Sequence, residues 1–156
     1  MSNNQPEVET LKFKIGLSGT YWKKRPAFDI LVNDDLLVRD QISKPTDEVQ
    51  YVEFTKELVN DADFTLTIKL TNKDNSDVVK EPPEGEPFTI VQDLLLNIVS
   101  IEIDDINIGE LMWSKSTFTA EDGQHPVLLN CVNLGWNGSY SITFRSPFYF
   151  WLLENM

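Results

Sequence analysis

The sequence holds one cysteine, Cys131, and one histidine, His125. Zinc sites of the His/Cys type, cysteine-rich clusters and Cys-x-x-Cys redox pairs need more of either than this, so none can be built within one chain. Cys131 stands between Asn130 and Val132 in an apolar stretch without a flanking base. It reads as a small buried hydrophobe and not as a nucleophile. His125 lies in Asp122-Gly123-Gln124-His125-Pro126, a Gly/Pro-punctuated segment. A solvent-facing loop residue is the plain expectation there, with a general base as the alternative. Gly-x-Ser-x-Gly, Gly-x-Gly-x-x-Gly and the P-loop are all absent, which removes nucleophile-elbow hydrolysis and Gly-rich phosphate cradles. The expectation is a protein that is not an enzyme and requires no cofactor.

Basic residues are also scarce, 13 Lys+Arg against 25 Asp+Glu, for a net charge of −12. Such a surface repels phosphate backbones and anionic headgroups, so nucleic acid and membrane insertion are not expected. No run of about 18 apolar residues occurs, and the opening Met-Ser-Asn-Asn-Gln-Pro-Glu has neither a basic nor an apolar leader region. The expectation is synthesis in a host cytoplasm without secretion by a signal peptide. At 156 residues, one core buries roughly two-thirds of the surface the unfolded chain exposes, which is enough without disulfides or a structural metal.

What the sequence has in quantity is alternation. Residues 1–9 read as a polar, flexible arm, and residues 10–156 as one domain. Leu11, Phe13, Ile15 and Leu17 alternate with polar or small residues, and so do Phe28, Ile30 and Val32 and then Phe64, Leu66, Ile68 and Leu70. A period of two marks strands with one buried face. Asn33-Asp34-Asp35 supplies a hairpin turn, and Trp136-Asn137-Gly138 reads as another, before Tyr140, Ile142 and Phe144. Residues 90–103 read as one central strand, because β-branched Val99, Ile101 and Ile103 alternate at its end. Residues 72–88, rich in Asp, Asn and Pro, form a long loop of the functional or disordered kind. Ser146-Pro147 reads as an N-cap and first helical residue, so that residues 110–156 supply a C-terminal hairpin and a short helix. Together these predict an all-β, jelly-roll-like antiparallel sandwich with a short C-terminal helix. Its expected core is Phe13, Ile15, Ile30, Val32, Leu66, Ile68, Leu96, Ile98, Ile101, Tyr140, Ile142 and Phe144.

Three groups of residues carry possible chemistry. The Asp pairs 34/35, 61/63, 74/77 and 104/105 stand mostly at strand ends, where Asp serves turns; a carboxylate pair for glycoside cleavage is the alternative. Asn72-x-Asp74-x-Ser76 opens like a calcium loop, but Asp77 holds the sixth position instead of Gly and Pro83 the twelfth instead of Glu, which excludes an EF-hand. Tyr21-Trp22, ahead of Lys23-Lys24-Arg25-Pro26, suit sugar stacking or a protein partner, with burial at the sandwich end as the alternative. The six consecutive apolar residues from Phe148 to Leu153 cannot all face one side of a helix. Phe148, Tyr149, Phe150 and Trp151 are therefore expected to pack partly into the sandwich and partly against a second subunit or another protein, with complete burial as the alternative.

Two family resemblances follow from particular segments. Ser18-Gly19 through Pro26, Phe28 through Asp34, Phe64 through Asn72, and Asp93-Leu94-Leu95-Leu96 leading to Ile101-Glu102-Ile103-Asp104 resemble the calcium-dependent xylan-binding carbohydrate-binding modules across residues 17–109. That resemblance implies a jelly roll, calcium held by Asn72, Asp74 and Asp93, and a glycan stacked on Tyr21 or Trp22. The chain departs from the family's Asn-Asp pair in having Lys73 after Asn72, with Asp74 one residue late. The whole chain, especially Ile98–Asp104, Asn130–Gly138 and Ser146–Asn155, resembles uncharacterised proteins of T4-like phages of marine cyanobacteria. This implies a structural protein of a tailed phage particle, a head decoration, tail or fibre component. It would be located in the virion and would act through contacts with other virion proteins, including a homo-oligomer. Adhesion to a host surface glycan is the alternative that the first resemblance implies.

Overall fold

Strands form where apolar residues alternate, because each strand then offers one continuous face to a core. In the computed structural model, which describes residues 7–156, the strands are β1 (Val8–Thr20), β2 (Ala27–Val32), β3 (Asp35–Gln41), β4 (Gln50–Val59) and β5 (Ala62–Leu70). They continue as β6 (Val79–Glu81), β7 (Thr89–Gln92), β8 (Leu95–Ile103), β9 (Ile106–Asn107), β10 (Ser116–Ala120), β11 (Leu128–Leu129), β12 (Asn133–Leu134) and β13 (Gly138–Ser146). A one-turn helix α1 (Leu111–Ser114) and a terminal helix α2 (Phe148–Asn155) accompany them. One sheet runs β12-β8-β1-β4 with β9 beside β8, the other β11-β10-β13-β5-β2-β3, and β6-β7 form a separate hairpin. The pairings are antiparallel. This is the expected all-β sandwich with its short C-terminal helix.

All of the expected core residues are buried. Aromatic rings bridge the two sheets: Phe13 of β1 stacks on Phe54 of β4 at 4.9 Å and meets Phe64 of β5 edge-on at 6.4 Å. Phe64 stacks in turn on Phe144 of β13 at 5.2 Å. The Asn33-Asp34 turn joins β2 to β3 as the sequence indicates, with Asn33 at φ 54°.

Several boundaries differ from the reading of the sequence, each for a long-range reason. Val8 and Glu9 belong to β1, paired with Val59 and Leu58, so the arm expected over 1–9 is shorter at its inner end; residues 1–6 lie outside the described residues. The single strand expected over 90–103 is two. Asp93 and Leu94 interrupt it, β8 takes the interior place beside β1, and β7 turns away to pair with β6. The loop expected over 72–88 therefore holds a 3₁₀ turn at Asn75–Asp77 and one arm of a hairpin. Asn137-Gly138 is not a hairpin turn, because β12 lies in one sheet and β13 in the other. Here the chain crosses over, and Gly138 is required by space: a Cβ would stand 2.3 Å from the Thr119 carbonyl oxygen.

Ser146 ends β13, and Pro147 occupies the N-cap without a side-chain cap. The carboxylate of Glu9 does the capping from β1: its Oε2 accepts from Phe148 N at 2.8 Å and from the Ser146 hydroxyl. Replacing Glu9 by Ala leaves the Phe148 N–H unpaired, while the Ser146 hydroxyl keeps Asn60 Oδ1 at 3.2 Å, and is expected to cost about 1–2 kcal/mol. Urea unfolding reads this as a lowered midpoint at unchanged slope, with Glu9→Gln, which keeps an oxygen acceptor, losing less.

Strand register sorts the connections into two ends. Thr20 faces Leu95, Leu17 faces Gln50, and Leu70 faces both Phe28 and Gly138, which gathers residues 21–26, 42–49, 71–94 and 121–137 at one end. The turns at 33–34, 60–61 and 104–105 lie at the other, with α2.

Candidate functional site

The gathered loops enclose an open cleft of about 1040 Å³ lined by Lys73, Asp74, Lys80, Glu81, Phe88, Ile90, Asp93, Glu121, Asp122, His125 and Trp136, among others. Two asparagines fix the backbone that leads into it. Where the chain leaves β5, the Asn72 side chain ties it to the neighbouring loop, its Oδ1 accepting from Ala27 N at 2.8 Å and its Nδ2 donating to Arg25 O at 2.9 Å. Asn137 clasps the next residue in the same two-point manner: Lys73 N donates to Asn137 Oδ1 at 2.8 Å, and Asn137 Nδ2 donates to Lys73 O at 2.9 Å. An amide side chain thus stands in for a paired strand.

With its backbone held, Lys73 turns its ammonium inward. Nζ lies 2.6 Å from Asp93 Oδ1 and 2.6 Å from Gly135 O, and the lysine side chain is only 11% exposed. Asp93 Oδ1 also accepts from Leu94 N at 2.8 Å, which is why the apolar run of the sequence breaks there.

The adjoining 3₁₀ turn is closed by a capping box, with Ser76 N donating to Asp74 Oδ1 at 2.8 Å and Asp74 N to Asp77 Oδ2 at 2.7 Å. Lys24 bridges both carboxylates, at 2.8 Å from Asp74 Oδ2 and 2.9 Å from Asp77 Oδ2. Hydrogen bonds from Lys24 and then Ser76 hold the Asp74 carboxyl well below the usual carboxylate range, and the hydrogen bonds to Asp74 and then Asp77 raise Lys24. Because the folded pKa is depressed, this stabilisation is present above the unfolded value near 4 and is lost only as pH falls through the folded one. Asp77 is fully buried, and its Oδ1 has no hydrogen-bond partner.

Aromatic side chains share the same lining. The His125 and Trp136 rings stack at 3.8 Å, and Trp136 rests on Phe118 at 6.3 Å. His125 is half-buried, more enclosed than a solvent-facing loop residue, and its Nδ1 lies 2.9 Å from Asp122 Oδ2. The Gln124 backbone N–H, then His125, hold the Asp122 carboxyl below its usual range. Phe88, on the hairpin side, is exposed beneath the Lys80 ammonium at 4.5 Å. Cys131 lies outside the cleft lining, half-buried, with its thiol pushed up by burial.

The residues singled out in the sequence fall in three places. Asp74 and Asp93 line the cleft, and Asn72 is outside its lining with its amide spent on backbone. Tyr21 lines a smaller depression of about 210 Å³ that shares Ile90 and Asp93 with the cleft, and its hydroxyl donates to Lys44 O at 2.8 Å. Trp22 lines neither, and its indole N–H donates to Asp77 O at 2.9 Å. Among the described residues no three His, Cys, Asp or Glu side chains are grouped to hold a metal ion. Lys73, Trp136 and Phe88 are cleft residues that the reading of loops and motifs gave no binding role, and His125, read there as a loop residue or a general base, also lines the cleft. The available signal was Trp136 beside an Asn-Gly pair, spent there on a hairpin.

Phe148 and Leu152 of α2 are buried, and Trp151 meets Phe144 edge-on at 4.7 Å. Tyr149, Phe150 and Leu153 point outward, all more than half exposed. The six apolar residues therefore divide between core and surface.

The sequence matches no protein-family model and no curated protein. A solved structure, vCBM60 in complex with galactobiose, superposes with a TM-score of 0.52 over 84% of this chain and 96% of that one, at 12% identity. The chain shares the sandwich fold of that carbohydrate-binding module.

Proposed function

We propose that this chain is a carbohydrate-binding module for neutral glycans, with no catalytic role. The observation that carries the reading is the cleft itself, where the stacked His125–Trp136 rings and the fixed Lys73–Asp93 pair share one lining at the loop end of the sandwich. Sugars present apolar C–H faces and a rim of hydroxyls, and a site of this kind offers an aromatic surface for the first and charged hydrogen-bond partners for the second. The carboxylates of Asp74, Glu81, Asp93, Glu121 and Asp122 outnumber the ammoniums of Lys73 and Lys80 in the lining, so sugars bearing carboxylates or sulfates are disfavoured. The fold shared with a module solved with galactobiose, and the resemblance to xylan binders, make galactobiose and xylo-oligosaccharides the first probes. Titration calorimetry with these and with oligogalacturonate should give heat with a neutral sugar only. Binding of the anionic sugar alone would reject the reading.

A second reading, a structural or adhesion role in a phage particle, draws on the outward face of α2. Tyr149, Phe150 and Leu153 are 59%, 62% and 53% exposed at the end opposite the cleft. A module seated through α2 on another virion protein, or on a second copy, would hold its cleft outward toward a host glycan. Phe150→Asp, at an exposed position, is expected to leave stability within about 0.5 kcal/mol while removing self-association or attachment to purified particles. Light scattering and co-sedimentation with particles check this, and an unchanged oligomer and unchanged attachment would contradict it.

A further inference from the structure

We infer that the ammonium of Lys73 is a built-in cation of the cleft, standing where a calcium ion would otherwise be needed, so that this module works without a divalent metal. The cation argument rests on Lys73 alone, and only its contact with sugar depends on the glycan-binding reading.

Calcium takes six to eight oxygens from flexible carboxylates, carbonyls and water. The expected set does not fit that need. Asn72 gives its oxygen to Ala27 N, Asp74 is held by Lys24 and Ser76, and Asp93 faces Lys73. An incoming divalent ion would have to displace a largely buried ammonium from its carboxylate or sit beside it, and like charges at that range are strongly disfavoured.

The ammonium meanwhile meets a cation's requirements. It lies 2.6 Å from a carboxylate oxygen and 2.6 Å from the Gly135 carbonyl, and Asn137 fixes the same residue's N–H and C=O. Charge-assisted hydrogen bonds of that length are strong. Of its three donors, two are spent on Asp93 and Gly135, and the third has no partner among the described residues. It is available to a sugar hydroxyl, and because the side chain is already ordered, little further entropy is lost on binding.

Thermal melts of the whole chain in EDTA and in millimolar calcium test the cation without any sugar. The wild type is expected to melt at the same temperature in both. Lys73→Met should melt lower in both, having left the Asp93 carboxylate unpaired. Lys73→Asp sets two carboxylates side by side and should melt lower in EDTA but recover part of the loss in calcium, since a ligand bound to the folded state alone raises its stability. A wild-type melt raised several degrees by calcium overturns the inference, as does a Lys73→Asp protein whose loss calcium leaves untouched. Calorimetry with galactobiose in EDTA and in calcium supplies the second arm. Equal affinity in both, falling at least tenfold in Lys73→Met, supports the role toward sugar, and affinity seen only with calcium refutes it. If no sugar binds under any condition the glycan reading fails, while the melts still decide the cation.

Discussion

Trp136→Ala is expected to weaken binding of a neutral oligosaccharide about 10- to 100-fold, a loss of about 1.4–2.8 kcal/mol. Trp136 carries both layers of the aromatic wall, since His125 stacks on it at 3.8 Å and has lost its seat once the indole is gone. A tryptophan buries some 150–250 Å² of surface when fully enclosed, and Trp136 is already half-buried, so about a third of that is left to be withdrawn against a sugar, about 1–2 kcal/mol at about 25 cal/mol per Å², with the displaced His125 ring adding to the loss. Trp136→Phe should keep part of the affinity, and His125→Ala should lose less than Trp136→Ala. Trp136 also rests against Phe118 at 6.3 Å, so circular dichroism of each variant must accompany the titrations. Unchanged affinity in a folded Trp136→Ala protein would move the site away from this wall.

Phe144→Ala is expected to be the most damaging single change to the fold, at about 3–5 kcal/mol. Phe144 is fully buried on β13, directly opposite Phe64 on β5, and the two rings stack at 5.2 Å. On its far side it meets Phe148 at 5.8 Å and Trp151 at 4.7 Å. One ring therefore joins the inter-sheet core to α2, and its removal opens a cavity and leaves the helix without its main contact. Against a total stability of about 5–15 kcal/mol for a natural domain, such a loss removes about a fifth or more. Chemical denaturation measures the loss, and hydrogen exchange shows whether α2 opens first. A cost below about 1 kcal/mol would mean that the helix and core collapse onto the gap.

The strands were legible in the sequence because their signal is local. In β5, Phe64, Leu66, Ile68 and Leu70 face the core in strict alternation, and nothing distant is needed to see it. The cleft was legible only in part because its organising contacts are long-range and made by single residues. Lys73 meets Gly135 and Asn137 from more than sixty residues away, and no period or spacing marks such a residue. Asn137 has the composition of a hairpin turn but spends its amide on Lys73, so a sound local rule gave the wrong connection. Glu9 shows the same limit, since it caps a helix 139 residues further on. Trp22 and Trp136 both stand in connections at the same end of the sandwich. What separates them is that one indole is tied to the back of the 3₁₀ turn by Asp77 O while the other lines the cleft.

The most direct test of a neutral-glycan site in this cleft is a two-dimensional amide NMR titration of the whole protein with neutral oligosaccharides in EDTA. The account predicts saturable shifts at the Trp136 indole N–H and at the backbone amides of Lys73, Asp93 and His125, with the Trp22 indole and the amides of α2 unmoved. Shifts confined to Tyr21, Trp22 or α2, or shifts that arise only after calcium is added, would contradict it.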